Sequence, residues 1–96
     1  MEDYLGRIVY SRKGRDQGKC MLVLKIVNEQ YVLVADGDLR RVENPKLKNI
    51  RHLKFTEQFD RETVEALKNG EIPGNHVIRK NLREYNAHQA SPGKEV

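Results

Sequence analysis

Between positions 4 and 55 the apolar residues come in short runs, the longest of strongly apolar residues being the four from Met21 to Leu24, and Gly, Asn, Asp or Pro punctuates them. Runs of this length, rich in β-branched and aromatic residues, read as strands, and none approaches the roughly 20 residues that span a bilayer. Five segments follow. The first is Tyr4 to Tyr10, with Gly6, Ile8 and Tyr10 on one face and Leu5, Arg7 and Val9 on the other. The second, Cys20 to Val27, turns Leu22, Leu24 and Ile26 inward and Lys25 outward, and its apolar flanks suit a central strand. Asn28 Glu29 Gln30 connects it to Tyr31–Ala35 as an antiparallel hairpin. Asp36 Gly37 Asp38 then turns the chain into a short strand from Leu39 to Glu43, Pro45 ends pairing, and a fifth segment from Lys48 to Phe55 closes the sheet. Five short antiparallel strands are too few for a sandwich and suit a small closed barrel of the SH3-like size, which removes exposed edges.

Beyond residue 55 the apolar period changes from 2 toward 3.6. Asp60 is placed to cap a helix that carries Val64 and Leu67 on one side, and Gly70 stands where a left-handed C-cap belongs. After Ile72 Pro73 Gly74, Asn75 is placed to cap a second helix whose Ile78, Leu82 and Tyr85 recur at i, i+4 and i+7. Each stripe is narrow, so these helices need a partner surface on the barrel, on each other or on another molecule. The expected organisation is a barrel over 1–55, a helical extension over 56–88 and a flexible tail over 89–96, with His88 already outside the apolar pattern.

A chain of 96 residues supports one core. The single cysteine, Cys20, excludes an internal disulfide and a multi-cysteine zinc site and fits a reducing compartment. The acidic start, Met1 Glu2 Asp3, lacks the positive charge of a secretory signal, so the expected location is the cytoplasm and no membrane is expected as a partner. Net charge is +4, but it is unevenly placed: residues 1–55 carry 12 Lys/Arg against 7 Asp/Glu, and residues 56–96 carry 6 against 7. The basic half is the strand-forming half.

Catalytic chemistry finds little footing. Gly14 Arg15 Asp16 Gln17 Gly18 Lys19 falls short of a phosphate-binding P-loop, which needs four residues between its glycines, Ser or Thr after the lysine and a following helix. His52, His76 and His88 lie on different elements without metal-ligand spacing. Cys20 with His52 as base is conceivable as a nucleophile, yet Cys20 opens a buried-looking strand, where a free cysteine packs as a small hydrophobe. No catalytic residue, metal, cofactor or small-molecule substrate is expected.

What remains is basic. Arg12, Lys13, Arg15 and Lys19 crowd the first loop, Arg40 and Arg41 follow the Asp36–Asp38 turn, and Lys46, Lys48, Arg51 and Lys54 surround the fifth segment, where His52 also sits. Ten cations on three neighbouring elements form the kind of array that RNA phosphates require, since affinity accumulates from many salt-sensitive contacts. Gly14 and Gly18 let loop amides approach phosphates closely. Only Tyr10 and Tyr31 are placed to stack on bases, which favours shape and backbone recognition of folded RNA over single-strand reading.

The run from Gly6 to Leu24, a strand, a basic loop carrying Gly14 and then Gly18 Lys19, and a hydrophobic strand, resembles the KOW motif. Val34 Ala35 Asp36 Gly37, Arg40 Arg41 Val42, Pro45 Lys46 and Asn49 Ile50 Arg51 His52 Leu53 are similar to the eukaryotic-type large-subunit ribosomal proteins of the fourteen-e and twenty-seven-e group and their short bacterial relatives. The resemblance covers about half the chain; residues 56–96 match nothing in that pattern. It implies an SH3-like barrel of the translation-protein type that contacts ribosomal RNA of the large subunit, with Gly14–Lys19 as the contact loop. The expected function is therefore a non-catalytic, ribosome-associated RNA-binding protein of ribosome assembly or translation. The alternative is a protein-interaction module of the transcription elongation type, which binds RNA polymerase or a ribosomal protein, with the C-terminal helices as a second contact surface.

Overall fold

The computed structural model describes residues 4–89. Five strands, β1 (Arg7–Ser11), β2 (Cys20–Ile26), β3 (Tyr31–Ala35), β4 (Lys46–Asn49) and β5 (Leu53–Phe59), form one open antiparallel sheet in the order β4-β3-β2-β1-β5. Helices α1 (Arg61–Lys68) and α2 (Asn75–Gln89) follow. The chain is thus mainly β, with the helices at its C-terminal side.

Strands β2 and β3 lie where their apolar patterns put them, but the other three differ. The first strand starts at Arg7 because Gly6 takes a left-handed φ of 76° and turns the chain before it. Leu39 to Glu43 is not a strand. Asp36 Oδ1 accepts hydrogen bonds from the amides of Asp38 and Arg40, both 2.8 Å, and the Val42 amide donates to Asn75 Oδ1 at 2.8 Å, so these amides have no strand partner. The fourth strand is Lys46–Asn49. It begins directly after Pro45 and lies at the edge of the sheet, where a proline at the strand boundary breaks no ladder. The expected segment from Lys48 to Phe55 is divided, because Asn49 Oδ1 accepts from the Arg51 amide at 2.9 Å and caps a 3-10 turn over Ile50–His52.

The sheet is buried on both faces. One cluster, Ile8, Leu22, Leu24 and Ala35, is covered by Ile78 and Leu82 of α2, with Tyr85 packed against it. The other, Val9, Met21, Val23, Val32, Val34 and Leu53, lies on the opposite face. This double burial explains why Met21 to Leu24 is apolar without alternation. Leu24 is the extra residue of a bulge against β3, so Ile26 joins the second cluster and does not share a face with Leu22 and Leu24 as strict alternation would have it.

Helix α1 begins as the sequence foretells: Asp60 Oδ2 accepts from the Thr63 amide and hydroxyl, and Gly70, at φ 77°, follows its last turn. The Asp60 amide donates to Gly6 O at 2.8 Å, which fastens the helix entry to the start of β1. Asn75 does not cap α2. Its side chain lies in the first turn and clamps residues 42–43, accepting from Val42 and donating to the Glu43 carboxylate at 2.9 Å, while Gly74 O accepts the amides of Val77 and Ile78. β5 runs four residues beyond the boundary expected at 55, and α2 contributes to the sheet's own core. Gln89, expected to begin a flexible tail, belongs with His88 to α2, and residues 90–96 of that tail lie outside the described residues.

Candidate nucleic-acid interface

The loop from Arg12 to Lys19 carries four cations and is folded by its own backbone. Gly18 N donates to Ser11 O, Lys19 N to Asp16 O, and Gln17 N to Gly14 O, while Ser11 Oγ donates to Lys13 O at 2.9 Å. These bonds leave Arg12, Lys13 and Arg15 exposed and Lys19 half-buried.

Three contacts draw the other basic elements to this loop. Asp16, only 4% exposed, accepts from Arg40 Nε and Nη2 at 3.2 and 3.1 Å through one carboxylate oxygen. Lys48 is 7% exposed, and its Nζ donates to Lys13 O at 3.0 Å. Arg12 N donates to His52 O at 2.7 Å, so the 3-10 turn bearing exposed Arg51 abuts the loop, and exposed Lys54 follows on β5. Loop, Asp36–Arg40 turn and 3-10 turn therefore meet at one end of the sheet.

This arrangement divides the expected contact residues by what they are free to do. Arg12, Lys13, Arg15, Arg51 and Lys54 project into solvent; Lys19 and Lys46 are half-buried at its margin. Arg40 and Lys48 are already bonded within the chain and hold the loop in shape. Burial lowers the Lys48 ammonium from its ordinary value, offset in part by Asp16. Arg41 pairs with Glu43 at 3.5 Å, and Glu43 is held by Asn75, which places Arg41 toward the start of α2. Gly14 and Gly18, at φ 82° and 86°, have open space or only the Lys48 tip where a side chain would stand, so their backbone is accessible.

Tyr10, one of the two expected stacking residues, faces α2, and its hydroxyl donates to Asn86 Oδ1 at 3.2 Å. Beside it, burial pushes the Cys20 thiol up to about 11. Such a thiol carries little thiolate near neutral pH, which is the wrong direction for a nucleophile. Among the described residues no cluster of three His, Cys, Asp or Glu could hold a metal, and no helix is long and apolar enough to cross a membrane.

Sequence reasoning passed over two features. Asp16 reads as one acid among cations, yet it is the buried anchor of the loop. Arg79 and Arg83 of α2 line a cleft of about 300 Å³ together with Lys19; their i, i+4 spacing was the available signal. No protein-family model matches the chain, and neither does any curated protein.

Proposed function

We propose that this chain is a non-catalytic RNA-binding protein that docks on ribosomal RNA of the large subunit, through the exposed cations at the loop end of its sheet. The observation that carries the reading is the fixed loop: Asp16–Arg40 and Lys48–Lys13 spend two cations and one acid on shape, and Arg12, Lys13 and Arg15 stay exposed around them. A preordered cationic loop loses little conformational entropy when it meets a phosphate backbone. The strand order supports an SH3-like barrel as the finer fold: β1 pairs with both β2 and β5, and one 3-10 turn joins the two edge strands across the sheet's curl. Work in the cytoplasm, in ribosome assembly or translation, belongs to the same reading.

The test is sedimentation of the tagged protein through sucrose gradients of lysate at low and high salt, beside a variant with Arg12, Lys13, Arg15 and Lys19 changed to Glu. Comigration with large ribosomal subunits at low salt, lost at high salt and lost in the folded variant, is the expected result. Binding through several phosphates falls by about 10³-fold or more across a fourfold rise in salt. Migration at the top of the gradient under both conditions would overturn the reading.

A further inference from the structure

We infer that the cleft between the Asp36–Asp38 turn and α2 receives one unpaired nucleotide of the bound RNA, with guanine as the preferred base; this rests on the RNA-binding reading above. The cleft measures about 300 Å³, at the small end of ligand pockets, which suits a single nucleotide. Buried Leu82 and half-buried Cys20 supply an apolar lining against which a base can lie. Lys19, Arg83 and Asp38 line the same space, and among the described residues no ion pair joins them. Opposite charges left unspent in one cleft suit a ligand that carries both an anion and N–H donors. A nucleotide does so: its phosphate meets Lys19 and Arg83, and a guanine edge offers two adjacent N–H groups to the Asp38 carboxylate.

The walls are fixed before any ligand arrives. Arg79 Nη1 donates to Gly37 O at 2.6 Å, and Asp36 Oδ1 holds the Asp38 amide at 2.8 Å, so the acidic turn is fastened to the helix. Lys19 ends the basic loop, which makes the cleft continuous with the phosphate-binding surface. A base turned out of a bulge would enter here while the flanking duplex rests on Arg12, Lys13 and Arg15.

The test compares three RNA hairpins of one sequence by fluorescence anisotropy: fully paired, with a single guanosine bulge, and with a single uridine bulge. The wild-type chain should bind the guanosine bulge about tenfold tighter than either of the others, the discrimination expected of one bidentate base contact. Asp38→Ala should erase the preference for guanosine over uridine, whereas Arg83→Ala, which removes a phosphate contact, should weaken both bulged hairpins alike and keep the preference between them; circular dichroism checks that each variant is folded. Equal binding of all three hairpins by the wild type, or a guanosine preference that survives Asp38→Ala, would overturn the nucleotide site while leaving the RNA reading intact. Failure of every hairpin to bind at low salt would overturn both.

Discussion

Lys48 Nζ donates to the carbonyl oxygen of Lys13 at 3.0 Å, across 35 residues of chain, and Lys48 as a whole is only 7% exposed. Lys48 is therefore part of the loop's framework, whereas Lys13, whose backbone it holds, presents its own ammonium to solvent. The two lysines should part company on substitution. Lys48→Met keeps the aliphatic stem and removes the donor, which should cost about 1 kcal/mol of stability, since Ser11 Oγ still serves the Lys13 carbonyl. The salt dependence of RNA binding should stay as it is. Lys13→Met should leave stability nearly unchanged and lower the slope of log affinity against log salt by about one. Denaturant unfolding and salt titration of RNA binding read the two effects apart.

Gly37 should be the least replaceable glycine of the basic end. A Cβ there would clash with the Asn75 carbonyl oxygen and stand 3.1 Å from Arg79 Cγ, and its φ is 78°. The turn lies directly on the first turn of α2, so Gly37→Ala has to separate them. We expect a loss of about 3 kcal/mol or more, from the left-handed backbone and the displaced helix together. Gly18→Ala, at φ 86° but with nothing within 4 Å, should cost only the backbone part, about 1 to 2 kcal/mol. Urea unfolding midpoints of the two variants give the comparison.

The same contrast separates what neighbours in sequence decide from what only the folded chain decides. β2, β3 and the Asp60-to-Gly70 helix depend on neighbours in sequence, and they fall where apolar runs, caps and glycines put them, although the bulge at Leu24 takes Ile26 off the face that alternation gives it. The Leu39–Glu43 strand fails because side chains claim its amides, that of Arg40 by nearby Asp36 and that of Val42 by Asn75 33 residues on, and because the Arg40 side chain is drawn to Asp16. Asn49 was the one local sign that the next segment would break, as an Asn placed to cap the 3-10 turn. At the candidate site, composition located the cations but could not separate exposed Arg12 from buried Lys48, a distinction set by which carbonyl lies within reach after folding.

Removal of the helices tests whether they are an appendage or a part of the core. Ile8, Leu22, Leu24 and Ala35 are buried under Ile78 and Leu82, and β5 continues to Phe59. A chain ended after Phe55 loses the last part of an edge strand and the cover of one sheet face. One ended after Phe59 keeps β5 and loses only the cover. Both fragments should aggregate or bind a hydrophobic dye strongly, the exposed apolar face being an association surface. A soluble, cooperatively unfolding 1–59 fragment would mean that the sheet's inner cluster around Met21 and Val34 is sufficient on its own.

Cys20 should report the closure of that same interface. Its thiol sits between Tyr10 and Asn86, and burial raises it from 9.0 to about 11, while burial raises the Tyr10 hydroxyl as well. The folded chain thus holds both protons to higher pH than the unfolded chain. Stability from this source is complete below pH 9.0 and is lost as pH rises through about 11. Two consequences can be measured. Iodoacetamide at pH 8 should modify the folded protein far more slowly than the urea-unfolded one, by about a hundredfold if thiolate fraction alone sets the rate. Unfolding midpoints should fall between pH 9 and 11, and Cys20→Ala should flatten part of that fall. Equal alkylation rates in the folded and unfolded chains would show that α2 leaves the sheet often enough to expose the thiol, and the cleft beside it would then not be preformed.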